Sequence, residues 1–330
     1  MEYRQLGNSD VKVTSLTLGT WAIGGWLWGG TDDEAAAAAI RKAVDLGMTS
    51  IDTAPVYGFG LAEKIVGEAI AGRRDKVQIL TKYGLRWDTD ENSQHFLTQD
   101  ADGNPVMIRH NARKESVIKE CEDSLRRLRT DYIDLYQCHW PDRDTPCEET
   151  MEAMDKLLKD GKILAAGVSN FTPELMERCL KTLPIASNQP PYSMLNRDIE
   201  KDVVPFCIRH NIALIVYSPL ERGILSGKVT MDREFPETDA RSTSPIYKPE
   251  NRRRVLEFLD KIKPIAEAHG ATLAQLVLNW TVHRPGITVV LSGVRNPDQV
   301  EENIKAAELE LSAGETEEIN THLDQLKLDL

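Results

Sequence analysis

The sequence predicts an α/β fold: a (β/α)8 TIM barrel with an N-terminal β-hairpin and two extra helices. Three observations lead there. Short apolar runs alternate along the chain with amphipathic helical segments, the pattern of a parallel sheet with helices packed outside it. Chemically capable side chains recur at the C-terminal ends of those runs, and in a closed barrel those ends converge on one mouth. No G-x-G-x-x-G string follows an early strand. The nearest candidate, "GFGLAE", lacks the third glycine, which argues against an open dinucleotide-binding sheet.

The elements follow in order. "YRQL" and "VKVT", joined by "GNSD", read as a hairpin. Eight strand–helix units come next, with strands expected at 15–20, 49–53, 77–82, 132–138, 163–169, 185–188, 212–217 and 287–291. Their helices are expected at 32–46, 61–72, 114–129, 147–160, 173–183, 198–210, 272–283 and 297–308, with extra helices at 250–268 and 313–325. Thr31 before "DDE", Thr172-Pro173 and Asn296-Pro297 carry start signals. Gly47, Gly161 and Gly270 sit where helices should stop. Two connections, at about 84–112 and 219–249, exceed the ~2–6 residues usual for such units. Both follow strands, so both should overhang the mouth as lids or specificity elements, the plainer reading being a mobile polar insertion.

No linker or low-complexity tract divides the 330 residues, and 1–330 is expected to form a single barrel domain. The formal charge of −12 makes nucleic acid an unsuitable partner. The N-terminus lacks a basic segment followed by an apolar core, and no apolar run approaches the ~20 residues that cross a bilayer. Five cysteines without CxxC spacing suit a reducing compartment, read as the cytoplasm, in which they serve as small buried hydrophobes. The histidines show no metal-ligand spacing, so no metal is expected. The outer helical faces show no decisive apolar patch, which leaves the oligomeric state open.

Asp52 and Tyr57 lie in "IDTAPVYG", Lys82 ends "VQILTK", and His139 ends "YIDLYQCH". A phenol titrates near ~10, too high for efficient acid–base work at neutrality. A neighbouring ammonium lowers that value, and Lys82 is placed to supply it. Asp52 would hold the ammonium charged and oriented, and His139 would direct a substrate oxygen towards Tyr57. Taken singly, each side chain has a structural explanation in packing or solvation. Their coincidence at one end of neighbouring strands points to protonation of a carbonyl as a hydride arrives.

Other strand ends are equally polar. The last strand runs into "VVLSGVRNPDQVEENI", where a loop with Ser292 and Gly293 meets a helix start that suits an anion. Arg295 is suited to clamp a phosphate, while Gln299, Glu302 and Asn303 share one helical face that suits an adenine edge. Ser169 and Asn170 in "GVSNF", with Gln189 in "SNQPPYS", offer the donors and acceptors a carboxamide needs. Tyr217 is suited to stack on a flat ring, and Ser218, Leu220, Gly223 and Lys228 to line a pyrophosphate path. Trp21, Trp26, Trp28 and Trp140 should wall a pocket for a small organic carbonyl substrate, or anchor loops against the rim.

These motifs resemble the aldo-keto reductase superfamily over essentially the whole chain. "GMTSIDTAPVYGFGLAEKIVGEAI" looks like its first signature, with Asp52, Tyr57, Glu63 and Gly67 in register. "ILTK", "DLYQCHWPD", "GVSNF", "NQPPYS", "YSPLERGILSGK" and "LSGVRNPDQVEENI" follow in family order. The resemblance implies a (β/α)8 barrel that reduces aldehydes and ketones with NAD(P)H and no metal, with catalytic roles for Asp52, Tyr57, Lys82 and His139. It further implies that Ser169, Asn170 and Gln189 hold the nicotinamide, with Tyr217 against its ring. Ser218 to Gly223, Lys228, Gly293 and Arg295 would bind phosphates, and Gln299, Glu302 and Asn303 the adenosine end. Thr20, Trp21 and Pro219 complete the expected cofactor site; Trp21, Trp26, Tyr57 and Trp140 form the expected substrate pocket.

Within that superfamily the chain resembles the bacterial general-stress and inositol-operon-like reductases, related to potassium-channel β subunits. The channel-associated branch carries Asn at the position of His139, and the histidine here favours turnover. The mammalian branch has a Lys-Ser pair in place of Gly293-Val294 and an Arg in place of Gln299, so Arg295 is expected to read the 2′-phosphate of NADP, with NADPH preferred over NADH. A cofactor-sensing regulatory subunit with slow turnover is the alternative, and an aldolase or isomerase using a Lys82 Schiff base stands behind it.

Overall fold

The alternating runs close on themselves. The computed structural model describes residues 1–28, 30–236 and 239–330. A hairpin of β1 (Tyr3–Gln5) and β2 (Lys12–Thr14) precedes the barrel strands β3 (Leu16–Gly19), β4 (Ser50–Asp52) and β5 (Gln78–Tyr83). A separate antiparallel sheet follows, made of β6 (Leu85–Arg86), β7 (His95–Gln99) and β8 (Pro105–His110). The barrel then resumes with β9 (Leu135–Cys138), β10 (Ala166–Ser169), β11 (Ser187–Gln189), β12 (Ala213–Val216) and β13 (Ile287–Gly293). Its strands are all parallel, and β13 pairs with β3 to complete the closed barrel.

Helices α1 (Asp33–Asp45), α2 (Leu61–Ala69), α3 (Lys114–Leu128), α4 (Cys147–Lys159), α5 (Pro173–Leu180) and α6 (Val203–His210) wrap the outside. After β12 come α7 (Pro249–Ala268) and α8 (Leu273–Val282), and after β13 come α9 (Pro297–Ile304) and α10 (Ala313–Gln325). The extra helices, α7 and α10, pack against each other. None of the described helices is long and apolar enough to cross a membrane.

Strand alternation sorts the core into two parts. On β12, Ala213 and Ile215 point into the barrel while Leu214 and Val216 face the helices. Leu80, Leu135, Ala165, Ala186, Val289 and Leu291 fill the interior with them, and Leu6, Val11 and Val13 from the hairpin plug the lower end. A barrel of this kind is a packed core, not a pore.

Several boundaries differ from expectation. The 84–112 stretch is not an irregular loop. "HFLTQ" and "PVMIRH" pair as β7 and β8 across an Asp-Gly-containing turn, and Trp26 Nε1 donates to Thr98 Oγ1 at 3.0 Å, fastening this sheet to the mouth. Asp32, not Thr31, caps α1, because its carboxylate accepts from the Ala35 amide at 3.0 Å. Ser292 and Gly293 belong to β13 instead of a loop, since they pair with Leu18 and Gly19 of β3. The 198–210 helix is broken: a 3-10 turn over Asp198–Glu200 precedes α6, which restarts where Asp202 accepts from the Val203 amide. The 219–249 stretch contains short 3-10 turns at Glu221–Ser226 and Pro245–Tyr247; Glu237 and Thr238 within it lie outside the described residues.

Leu6 is fully buried in the lower plug. Leu6→Ala should therefore destabilise the fold by about 2–5 kcal/mol, read as a lower denaturant midpoint. An unchanged midpoint would show that the hairpin does not help seal the barrel.

Candidate active site

The alternation that builds the core also builds the site. Lys82 lies two residues beyond Leu80 on β5, so it points into the barrel. Gln137 follows Leu135 on β9 in the same way, and Ser169 continues the inward face of Ala165 on β10. Asp52 points inward because its neighbour Ile51 packs outward. The top interior layer is thus polar, stacked directly on an aliphatic one.

Lys82, Asp52, Gln189 and Ser169 in that layer are partnered, while the buried Gln137 Nε2 has no partner among the described residues. Lys82 Nζ donates to Asp52 Oδ1 at 2.6 Å, to the Thr53 carbonyl at 2.9 Å and to Tyr57 Oη at 3.4 Å. Gln189 Nε2 donates to Asp52 Oδ2 at 2.8 Å, and Ser169 Oγ donates to the Gln189 carbonyl at 2.7 Å. Behind the layer, Glu63 accepts from Thr81 Oγ1 and from Arg127 Nε, each at 2.6 Å. Lys82 and Asp52 are both buried. A buried pair of this kind survives because each charge is matched and its remaining hydrogen-bonding positions are filled.

Tyr57 and His139 meet edge to face above this layer, ring centroids 5.8 Å apart at 81°. Tyr57 is held there by two close backbone crossings. A Cβ on Gly24 would come within 2.6 Å of the Tyr57 carbonyl carbon, and one on Gly58 within 2.2 Å of the Gly24 oxygen. Only glycine allows the loops after β3 and β4 to pass this closely. The Asn170 side chain donates to the His139 carbonyl at 3.0 Å and accepts from the Tyr217 hydroxyl at 2.9 Å. Asn170, Ser218, Glu221 and Arg222 all adopt left-handed backbone conformations without being glycine. Such strain concentrates at functional sites.

The ionisation pattern corrects one expectation. The Tyr57 phenol is not brought below its ordinary value. Burial, reinforced by the Asp52 carboxylate, holds it well above 10. Burial lowers Lys82 from 10.5, opposed by Asp52. Burial and the Lys82 charge keep the His139 imidazole well below 6.5, hence neutral and able to donate one N–H. The Tyr57 phenol is thus held in its protonated form.

These residues open onto a cavity of about 580 Å³. Its walls include Thr20, Trp21, Trp26, Asp52, Tyr57, His139, Trp140, Ser169, Asn170, Gln189 and Tyr217 at one end. Ser218, Pro219, Leu220, Gly223, Lys228, Gly293, Arg295, Gln299, Glu302 and Asn303 continue it towards α9. The expected site residues line it except Glu221, Ser292 and Lys82, the last of which sits beneath Asp52 and Tyr57. At the far end several groups are partnered within the chain. Lys228 pairs with Glu302 at 2.5 Å, the Arg295 guanidinium donates to the Gly30 carbonyl at 2.9 Å, its amide donates to Gln299 Oε1 at 2.7 Å, and Asn303 donates to Ser292 Oγ at 2.9 Å.

Sequence reasoning missed Gln137, whose carbonyl oxygen accepts from Gln189 at 3.4 Å. The signal was an amide inside an apolar strand, two residues before His139. It also missed Arg233 and Arg241 from the 219–249 stretch and Leu85 and Phe96 from the 84–112 stretch, all on the cavity wall. Arg241 lies over the rings of Trp28 and Phe235, at 5.2 and 4.4 Å. The length of the two insertions was the available clue. Among the described residues, no group of His, Cys, Asp and Glu is arranged to hold a metal ion.

The cavity fits a nicotinamide dinucleotide on its own evidence. Thr20 Oγ1, Trp21 Nε1, Trp28 Nε1 and Glu302 Oε1 all belong to wall residues, are buried and have no partner within the chain. A Cβ on Gly223 or Gly293 would meet nothing. The void is lined by Tyr57 and reaches Asn303 of α9.

Fold and mouth together define a barrel oxidoreductase. Comparison with known proteins gives the family: residues 15–324 match the model described as the aldo/keto reductase family, and the chain belongs to it. It is 39% identical to aldo-keto reductase YhdN of Bacillus subtilis, covering 98% of this chain and 94% of that protein. It is 34% identical to the NADH-specific methylglyoxal reductase of Escherichia coli, covering 93% and 94%. Among solved structures it resembles a glycerol dehydrogenase from Gluconobacter oxydans, with a TM-score of 0.87 and 38% identity over 98% of this chain and 95% of that one. The protein is thus an oxidoreductase that reduces carbonyl compounds with a nicotinamide cofactor.

Removing Asp52 would strand a buried ammonium. Asp52→Ala should cost about 3–5 kcal/mol in equilibrium unfolding. A loss near zero would mean that the ion pair is dispensable to the fold.

Proposed function

We propose that the protein is an NADPH-preferring carbonyl reductase in which Tyr57 is the general acid. The observation that carries this is the contact of one buried ammonium, Lys82, with both Asp52 and Tyr57. A nicotinamide bound along the cavity supplies the hydride. Tyr57 delivers its proton to the oxygen as negative charge develops there. The phenolate left behind faces the Lys82 ammonium, which stabilises it, and Asp52 keeps that ammonium charged and fixed. Neutral His139 donates a hydrogen bond to the carbonyl and sets its angle to the phenol. The tryptophans at the mouth exclude water and favour a small, partly apolar substrate.

Ser169, Asn170 and Gln189 would hold the nicotinamide amide, and Tyr217 would lie against its ring. Thr20, Trp21, Ser218, Pro219, Leu220, Gly223, Lys228 and Gly293 would line the phosphate path. Gln299, Glu302 and Asn303 would meet the adenosine end. The NADPH preference rests on Arg295, whose exposed guanidinium donates to the Gly30 carbonyl and could turn onto a phosphate. The Escherichia coli relative is NADH-specific, so this preference belongs to the residues of this chain and not to its relatives as a group.

Tyr57→Phe should reduce turnover by at least the ~10²–10⁴ that a positioned acid contributes, while cofactor binding, read by fluorescence titration, persists. Wild-type turnover in that variant would refute the assignment. Arg295→Ala should weaken NADPH far more than NADH in the same titration. Equal weakening of both would remove Arg295 as the reader of the 2′-phosphate.

A further inference from the structure

Packing alone does not explain Gln137. It is fully buried on β9, and its Nε2 has no partner among the described residues. An unpaired buried N–H destabilises, so an apolar side chain of the same shape would serve packing better. Room is nevertheless kept for it. A Cβ on Gly167 of β10 would come within 2.4 Å of Ser187 Oγ and 3.0 Å of Gln137 Cγ. Ser187 Oγ donates to Gln137 Oε1 at 3.4 Å, and Gln189 Nε2 donates to the same oxygen at 3.4 Å. The Gln137 oxygen thus receives the Gln189 amide across two strand boundaries.

We propose that Gln137 is a positioning residue for the cofactor: it fixes the Gln189 side chain with its oxygen towards the cavity, so that Gln189 accepts a hydrogen bond from the nicotinamide amide and cannot donate one. This role rests on the nicotinamide placement proposed above and is independent of the carbonyl that is reduced.

The donors at this end are all committed. A carboxamide nitrogen carries two N–H groups. Gln189 Nε2 directs one to Asp52 Oδ2 at 2.8 Å and the other to Gln137 Oε1. A carboxylate can only accept, so the Asp52 contact turns the Gln189 nitrogen inward. With that tie alone the amide could pivot about Asp52; the Gln137 tie removes the freedom. Gln189 Oε1 has no partner among the described residues, and Gln189 lines the cavity. Asn170 is held in the same way, its Nδ2 donating to the His139 carbonyl and to Ser169 Oγ, each at 3.0 Å. The Ser169 hydroxyl proton goes to the Gln189 carbonyl. Acceptors stay free along this wall, and donors are occupied.

Such a wall distinguishes the two ends of an amide. The NH₂ group of a nicotinamide finds an acceptor in Gln189, whereas its carbonyl oxygen finds no donor there. A cofactor whose NH₂ is replaced by methyl forfeits that hydrogen bond and leaves the Gln189 oxygen unpaired. Taking away the Gln137 oxygen releases one Gln189 N–H, which can then turn to the cavity and serve a carbonyl oxygen. Selectivity for the NH₂ group should relax, although Gln137 is not on the cavity wall.

The test is binding, read by isothermal titration calorimetry on the full-length protein with NADP⁺ and with its 3-acetylpyridine analogue, in which methyl replaces the amide NH₂. NAD⁺ and its own analogue repeat the comparison without the 2′-phosphate. The wild type should bind the natural cofactor about tenfold more tightly than the analogue. Gln137→Met keeps the shape and removes the acceptor, and it should shrink that ratio several-fold. Ser187→Ala removes the hydroxyl that holds the Gln137 oxygen and should shrink the ratio less; it decides the outcome if circular dichroism shows Gln137→Met unfolded. Equal weakening of both ligands, with the ratio kept, would mark a packing role and overturns the positioning one. Equal binding of both ligands by the wild type overturns the acceptor wall while cofactor use stands. A wild type that binds neither NADP⁺ nor NAD⁺ removes the proposed function, and this role with it.

Discussion

One ammonium under the floor of the mouth organises this molecule. Lys82 is fully buried, and its charge is met within the chain by Asp52, the Thr53 carbonyl and the Tyr57 hydroxyl. Asp52 in turn needs Gln189 for its second oxygen, and Gln189 leans on Gln137. Satisfying one buried charge therefore fixes side chains on β4, β5, β9 and β11. A network of this kind is stable only when complete, which ties chemistry and fold to the same set of contacts.

The barrel makes that set possible. Inward and outward positions alternate, so placing Leu80 and Leu135 in the aliphatic layer commits Lys82 and Gln137 to the layer above. The hairpin plug below closes the lower end, leaving the polar layer accessible from one direction. Burial then decides ionisation: it keeps the phenol protonated and the imidazole neutral, the states suited to donating to a carbonyl oxygen.

The two insertions divide the rim. The antiparallel sheet formed by β6, β7 and β8 brings Leu85 and Phe96 to the substrate end, fastened through Trp26. The 219–249 stretch brings Arg222, Arg233 and Arg241 to the cavity wall, so a chain of net charge −12 presents local positive charge where phosphates would lie. Relatives named for different activities, a glycerol dehydrogenase and a methylglyoxal reductase, belong among the proteins this chain resembles. Variation in such rim segments, set on a constant scaffold, is how this architecture changes substrate.

The sequence by itself determined the barrel, the order of its strands and the residues at their C-terminal ends, because two-residue and 3.6-residue periodicities and strand-end position are local properties. Much of the cavity wall was legible from strand ends and from the family resemblance, but Leu85, Phe96, Arg233 and Arg241 in the two insertions were not. Local pattern also explains the misses at element ends, such as the break before Val203 and the cap at Asp32, where neighbouring polar side chains compete for the same amides. Other features came only with the tertiary structure. Pairing of β7 with β8 depends on contact across a turn, and the role of Gln137 on three neighbouring strands. The direction of the Tyr57 ionisation was misjudged because the ammonium was visible in the sequence and the depth of burial was not. Desolvation is a property of everything packed around a group, and no string of residues states it.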